Sequence, residues 1–449
     1  MPAKTVVLAL LALLVCACAE IPKAEPEALA KTEAPTPLAA TPAPRPESPA
    51  TEQERAPEPP PPPANVWERI RTGYRLTPLV SPLVQEWEQY YSRRPDYVAR
   101  MVDRSSRFLY HVVEEVERRK MPTEVVLLPM IESAYNPQAY SRAHASGMWQ
   151  FIPSTGKLYG LNQNFWYDGR RDVLAGTSAA LDYLEKLYSM FGDWNLALAA
   201  YNWGEGAVSR AITRNQARGL PTDYESLTMP AETRNYIPKL MAVRNIVANP
   251  EQYGIALVNI PNRPYFATVT THRHIDVKLA ASFAELSLEE FRFLNPAHNK
   301  PVIKSNGSET IVLPIEKIAV FQGNLEGHSQ PLVTWQTYTV KRSDQPENIA
   351  AKHGMTLAQL KQINGITGNK KIAAGQTLLV PLKGTAEPNL PDLPAPKVTL
   401  TRYQPKKAKC VQVRNGVRKV VQCPSASTKK PAKSPASTKP AKATIQGRG

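Results

Sequence analysis

Apolar residues recur at three- and four-residue spacing from Val98 through Met101, Val102, Ser105, Phe108, Leu109, Val112 and Val113 to Val116. That spacing lines one face of a helix and predicts a single long amphipathic one. A shorter helix is expected from Met121-Pro122-Thr123, where Val125, Val126, Leu127, Leu128, Met130 and Ile131 run up to one carboxylate, Glu132, before a break at Asn136-Pro137. Val173, Leu174, Thr177, Leu181, Leu184, Leu187 and Tyr188 form another helical stripe, followed by Trp194 to Tyr201. Glu232 to Ala248 predicts a last helix, bent or restarted at Pro238. No stretch between Trp67 and Asn249 alternates as a strand would, so this part reads as mainly α.

After Asn249 the pattern changes. Tyr338-Thr339-Val340 reads as a strand, Pro346 to His353 and Thr356 to Asn364 as helices, and Thr377 to Val380 as a strand, a βααβ string. A weaker copy precedes it in Ala267-Thr268-Val269, Ser287-Leu288 through Leu294-Asn295-Pro296, and Ile311 to Pro314. Both copies end on a strand and a proline at similar distance from an asparagine, so a degenerate repeat is expected.

The ends of the chain are different in kind. Lys4 precedes an apolar run, Val6 to Val15, of signal-peptide length and too short to span a bilayer. Its ending, Val15-Cys16-Ala17-Cys18, resembles a bacterial lipobox. That resemblance implies a lipid-modified Cys18 at the periplasmic face of the outer membrane. Residues 19–64 are Pro-, Ala-, Glu- and Thr-rich and cannot bury a core, so they read as a disordered tether. Of 449 residues 43 are proline, which shortens the globular part. The formal charge of +16 sits mostly in the basic tail, 384–449. Nucleic acid is the usual partner of such a tail, but the export signal argues against it; anionic envelope polymers fit the compartment. In the tail, Cys410 to Cys423 looks like a hairpin around Asn415-Gly416. A two-residue turn sets Cys410 opposite Val421, yet Cys410 and Cys423 are the expected disulfide in an oxidising compartment. The seven histidines are scattered; His272 and His274 could share a strand face but lack a third ligand, so no metal or cofactor is expected.

Three further motifs accompany Glu132. Ser146-Gly147-Met148-Trp149-Gln150 offers a tight backbone and an amide. Ala200-Tyr201-Asn202-Trp203-Gly204 closes a helix, and Glu232-Thr233-Arg234-Asn235-Tyr236 opens the last one. Each alone reads as a turn, a helix cap or a favourable N-terminal acid. In this order, however, they resemble the catalytic domain of the soluble and membrane-bound lytic murein transglycosylases, a goose-lysozyme-like fold, and the membrane-bound D type above all. The resemblance implies that Glu132 is the catalytic acid–base. It implies glycan contacts from Ser141, Gln150, Tyr201, Asn202, Glu232 and Tyr236. The βααβ string resembles a LysM module, a binder of N-acetylglucosamine-containing glycans, departing from it at Ser343-Asp344-Gln345-Pro346.

Glycosidases ordinarily use two carboxylates, about 5 Å apart when configuration is retained. Asp168, Asp172, Asp193 and Glu205 are the nearby candidates for a second acid, and capping or surface roles explain them better. A single acid suffices if the substrate supplies the nucleophile. In the implied reaction the muramic C6 hydroxyl closes a 1,6-anhydro ring. The expected organisation is a signal peptide (1–18), linker (19–64), catalytic domain (65–255), degenerate LysM-like module (256–330), LysM domain (331–383) and tail (384–449). A hydrolytic lysozyme or chitinase, and a non-catalytic wall-binding lipoprotein, are the alternatives.

Overall fold

The computed structural model describes residues 63–367 and 371–382 and the backbone of 409–414 and 417–422. Cys16, Cys18 and Cys423 lie outside the described residues. The mainly helical part comprises α1 (Val66–Thr72), α2 (Pro82–Ser92), α3 (Pro95–Ser105) and α4 (Leu109–Arg118). A 3₁₀ turn (Thr123–Leu127) leads into α5 (Leu128–Ser133), then α6 (Pro153–Leu158), α7 (Val173–Phe191), α8 (Trp194–Trp203), α9 (Glu205–Gln216), α10 (Ala231–Arg234) and α11 (Tyr236–Ala248). Helix α11 is apolar on nearly all sides and sits centrally, against α2, α5 and α8.

Two expected helices are broken, the first where periodicity gave no warning and the second three residues before the proline expected to break it. The stripe from Val98 to Val116 is carried by α3 and α4, separated at residues 106–108. The Ser105 and Ser106 hydroxyls donate to the carbonyls of Val102 (2.8 Å) and Asp103 (2.6 Å), which loosens the last turn of α3. Phe108 stays fully buried, so the apolar face continues across the break. The last helix breaks at Asn235, not Pro238. Pro238 lies in the first turn of α11, where its missing N–H leaves no bond unmade. The Asn235 amide instead donates to the Ala231 carbonyl (2.8 Å) and accepts from Trp87 Nε1 (2.8 Å).

Beyond Tyr253 the chain forms β1 (Phe266–Thr271), β2 (Ile275–Asp276), α12 (Val277–Phe283), α13 (Leu288–Leu294), β3 (Val302–Ile303), β4 (Glu309–Pro314) and α14 (Ile318–Glu326). Then follow β5 (Trp335–Thr339), α15 (Pro346–Lys352), α16 (Leu357–Ile363) and β6 (Thr377–Pro381). The repeat is visible atom by atom. Strands β1 and β4 pair antiparallel with Phe266 opposite Pro314, and β5 and β6 pair with Trp335 opposite Pro381. Asn295 donates to the carbonyls of Phe291 and Val312 and accepts from Val312 N. Asn364 does the same with Leu360 and Leu379. Each asparagine thus ties the end of a helix to the closing strand, and each helix is capped by a hydroxyl, Ser287 or Thr356. The first copy adds the β2–β3 pair.

The two copies are embedded differently. Leu294 and Val312 of the first join the core of the helical part, and Arg107 pairs with Glu290 at 3.2 Å across the junction. The second keeps a small core of its own around Val340, Ile349, Leu360, Leu378 and Val380. His272 and His274 lie past the end of β1 rather than on it, each bonded locally, to the Gly307 carbonyl and to Ser305 N. Strands β7 (Lys409–Arg414) and β8 (Val417–Gln422) pair with Cys410 opposite Val421, the register a two-residue turn requires. Among the described residues no helix is long and apolar enough to cross a membrane.

Candidate active site

Glu132 occupies the last turn of α5, and the apolar run before it is buried. The helix stops abruptly because Ala134 and Tyr135 both adopt left-handed backbone, at φ 53° and 54°. Such a conformation strains a residue with a side chain. The strain is held in place by Tyr135, fully buried, whose hydroxyl donates to the Val126 carbonyl at 2.7 Å. The Ser133 hydroxyl donates to the Met148 carbonyl at 2.8 Å, bringing the Ser146–Gln150 loop against α5.

That loop can take only glycine at position 147. Gly147 has φ 83°, and a Cβ there would lie 1.7 Å from the Arg170 carbonyl. Trp149 is a core side chain, its Nε1 donating to Thr177 (3.0 Å), so the tryptophan anchors and the glutamine is presented. Gln150 is left-handed as well, with its side-chain amide on the Gly147 carbonyl at 2.8 Å. Arg170 braces the loop from behind. Its guanidinium donates to the carbonyls of His144 and Phe151 and is neutralised by Asp168 at 2.7 Å.

Helix α8 ends at Trp203 and Gly204 and delivers Tyr201 and Asn202. The Tyr201 hydroxyl donates to the Trp149 carbonyl at 2.9 Å. Asn202 accepts from Thr233 at 2.8 Å, while its NH₂ has no partner among the described residues. Tyr236, buried at the start of α11, donates from its hydroxyl to Glu132 at 2.5 Å. Ser141 accepts from Ala145 N at 3.0 Å. Glu132, Ser141, Gln150, Tyr201, Asn202, Glu232 and Tyr236 all line one cleft of about 450 Å³. Every residue expected to contact glycan is therefore in one place.

Of the two carboxylates on the cleft wall, Glu132 is the one withdrawn from solvent. Burial pushes its carboxyl up to about 7. The Tyr236 hydrogen bond opposes that rise, the charge of Glu232 adds to it, and Lys239 opposes it. Asp168 is consumed by Arg170; Asp172 and Asp193 cap α7 and α8; Glu205 is held by Tyr183 (2.8 Å) and Lys186 (2.9 Å). None of these four lines the cleft. The other carboxylate on its wall is Glu232, which is exposed.

Sequence reasoning named Thr233 within its motif without giving it a role, and passed over Lys239, Ser133 and Arg170. Lys239 was within reach of it, lying on the same face of α11 as Tyr236 one turn later. The other three act through backbone carbonyls or another side chain, and nothing in their local sequence signals that.

Residues 110–221 match the Transglycosylase SLT domain family, 265–330 the LysM-like domain of lytic transglycosylase MltD, and 338–381 the LysM domain. The SLT match stops before Glu232 and Tyr236, which the fold nevertheless returns to Glu132. The chain is 36% identical over 317 residues to membrane-bound lytic murein transglycosylase D of Escherichia coli strain K12, covering 68% of this chain and 70% of that one. The same figures hold for the protein of that name from E. coli O6:H1 strain CFT073. A tributyltin chloride resistance protein of Alteromonas sp. strain M-1 is 41% identical over 160 residues, 35% of this chain and 76% of that one. With both its helical domain and its repeats accounted for, the chain belongs to the membrane-bound lytic murein transglycosylase D family.

Proposed function

We infer that this chain is a peptidoglycan lytic transglycosylase that cuts the MurNAc–GlcNAc β-1,4 bond without water, with Glu132 as its acid–base. The observation that carries this is the half-buried Glu132, protonated up to about pH 7, in a cleft whose other carboxylate is an exposed one. A proton on Glu132 passes to the bridging oxygen as the glycosidic bond breaks, and the GlcNAc 4-hydroxyl leaves. The neighbouring acetamido group stabilises the oxocarbenium-like centre. Glu132 then takes the proton of the muramic C6 hydroxyl, whose oxygen closes the 1,6-anhydro ring. A nucleophile held on the same sugar gains large effective molarity over solvent. Tyr236 orients the carboxyl. The free NH₂ of Asn202, with Ser141, Gln150, Tyr201 and Glu232, positions the glycan.

Around this site we assign residues 65–255 to catalysis and the modules at 256–330 and 331–383 to holding wall glycan. The lipobox at Cys18 would tether the enzyme to the periplasmic face of the outer membrane. The basic tail suits anionic envelope polymers; a Cys410–Cys423 bridge there would require the strand ends to fray, since Cys410 pairs with Val421. Purified sacculi incubated with wild type should release soluble muropeptides and with Glu132→Gln should release almost none; equal release would end the enzymatic reading. Membrane fractionation of Cys18→Ala checks the anchor, which an unchanged membrane-bound fraction would reject.

A further inference from the structure

A second, larger hollow adjoins the cleft. It is a crevice of about 1230 Å³ walled by the helical part (Tyr140, Lys157, Phe165), the first module (Arg292, Lys300) and the second (Trp335). Ala143 and Ile152 line both hollows, so a polymer leaving the cleft on that side enters the crevice.

The charge of the lining is one-sided. Its acid, Asp168, is already neutralised by Arg170. Lys157 and Arg292 are exposed, and neither side chain has a hydrogen-bond or ion-pair partner among the described residues. Lys300 is 8% exposed and faces no acid; its ammonium donates to the Ile363 carbonyl at 3.0 Å and lies 3.9 Å from the centre of the Phe165 ring. Burial lowers its pKa to about 8. Burying an ammonium without a counter-anion is costly, and a concave wall of one sign concentrates the opposite charge.

In intact peptidoglycan the lactyl carboxyl of each muramic residue is tied up as an amide to its peptide branch, so the free acids of the strand are carried on those branches. We propose that this crevice binds the carboxylates of the peptide branches on the strand held in the catalytic cleft, with Lys157 and Arg292 at its open side and Lys300 within. The inference rests on the transglycosylase reading and adds a preference for peptide-bearing over bare glycan. Tyr140 and Trp335 supply apolar surface for the branch between its charges.

The full chain is to be assayed for kcat/KM on two substrates, glycan strands with peptides intact and the same strands stripped by an amidase, which leaves one lactyl carboxylate close against each muramic ring. The double variant Lys157→Gln/Arg292→Gln should lose more than twofold and up to about thirty-fold on peptide-bearing strands, the worth of two exposed charge contacts. On stripped strands it should stay within about twofold, because the lactyl carboxylate lies against the sugar ring in the catalytic cleft and does not reach the crevice. Added salt should erode the wild-type preference and leave the variant almost unaffected. The charge-preserving Lys157→Arg/Arg292→Lys should keep the preference. An equal loss on both substrates, or no loss on peptide-bearing strands, overturns the proposal while leaving the transglycosylase intact. A wild type that cleaves neither strand sinks the transglycosylase reading and this inference with it.

Discussion

The two ends of the buried segment Thr123–Ser133 carry one glutamate each, and their surroundings differ in kind. Glu124 is fully buried. It accepts from the backbone N–H of Arg75 (3.1 and 3.0 Å) and of Leu76 (3.0 Å), and from Arg244 (3.3 Å). At the other end Glu132 opens on a cleft and accepts one hydrogen bond, from Tyr236. The first carboxylate is surrounded by donors and serves as a strut joining the segment after α1, the 3₁₀ turn and α11. The second is buried with a single donor to offset the loss of water, and burial is what raises its carboxyl. Between these two glutamates, what differs is the number of donors each meets.

Removing each glutamate should separate the two roles. Glu132→Gln retains shape but can neither give nor take a proton. Activity on sacculi should fall by about a hundred- to ten-thousand-fold, with glycan binding retained. Glu124→Ala should do the reverse. Two backbone donors and Arg244 lose their acceptor, so denaturant melts should show a loss of about 3 kcal/mol, with specific activity of the folded fraction nearly unchanged. A Glu124 variant that is stable but inactive would erase the distinction.

The same contrast has a pH signature. The Glu132 carboxyl is raised in the folded state, from an ordinary 4.5 to about 7, so its ionisation opposes folding. Its contribution is present below the unfolded value, declines as pH rises from about 4.5 and is lost above about 7. Relative to Glu132→Gln, wild type should therefore lose roughly 2–3 kcal/mol of stability between pH 4 and pH 8, read by denaturation at each pH. A pH-independent difference would mean that the carboxyl titrates normally. The alkaline limb of kcat/KM should fall near pH 7, as the required acid is lost.

Two smaller changes sharpen this limb in opposite directions. Tyr236→Phe removes the bond that favours the ionised form, so the limb should move up, by about one pH unit at most. Glu232→Gln removes a neighbouring negative charge, so the limb should move down by a fraction of that, and more at low salt. Shifts of the same sign in both variants would contradict the assigned causes.

Much of this was legible in the chain. The stripes on α4, α7 and α8, the caps Asp172 and Asp193, and the repeat with its two asparagines all follow from local pattern. The break between α3 and α4 was not, because a three-residue interruption returns the chain to the same apolar face. Nor does local sequence distinguish Glu124 from Glu132, since both are acids among apolar residues. The difference comes from Arg75, Arg244 and Tyr236, brought in from distant segments. The grouping of Gln150, Asn202 and Tyr236 around Glu132 came from resemblance, and the structure supplies its physical reason in the Met148 and Trp149 carbonyls that bind Ser133 and Tyr201. The crevice around Lys300 has no signature in one dimension, as its walls come from three parts of the chain.

The most direct test of a lone acid with a substrate-borne nucleophile is the origin of the oxygen at the new sugar end. Sacculi digested by the full chain in heavy-oxygen water, followed by mass analysis of the muropeptides, read it without any variant. Anhydro ends one water lighter than the lysozyme product, carrying no heavy oxygen, are expected. Reducing ends that take up the label would show that solvent is the nucleophile, and would contradict the assignment of Glu132 as an acid–base acting without a second carboxylate.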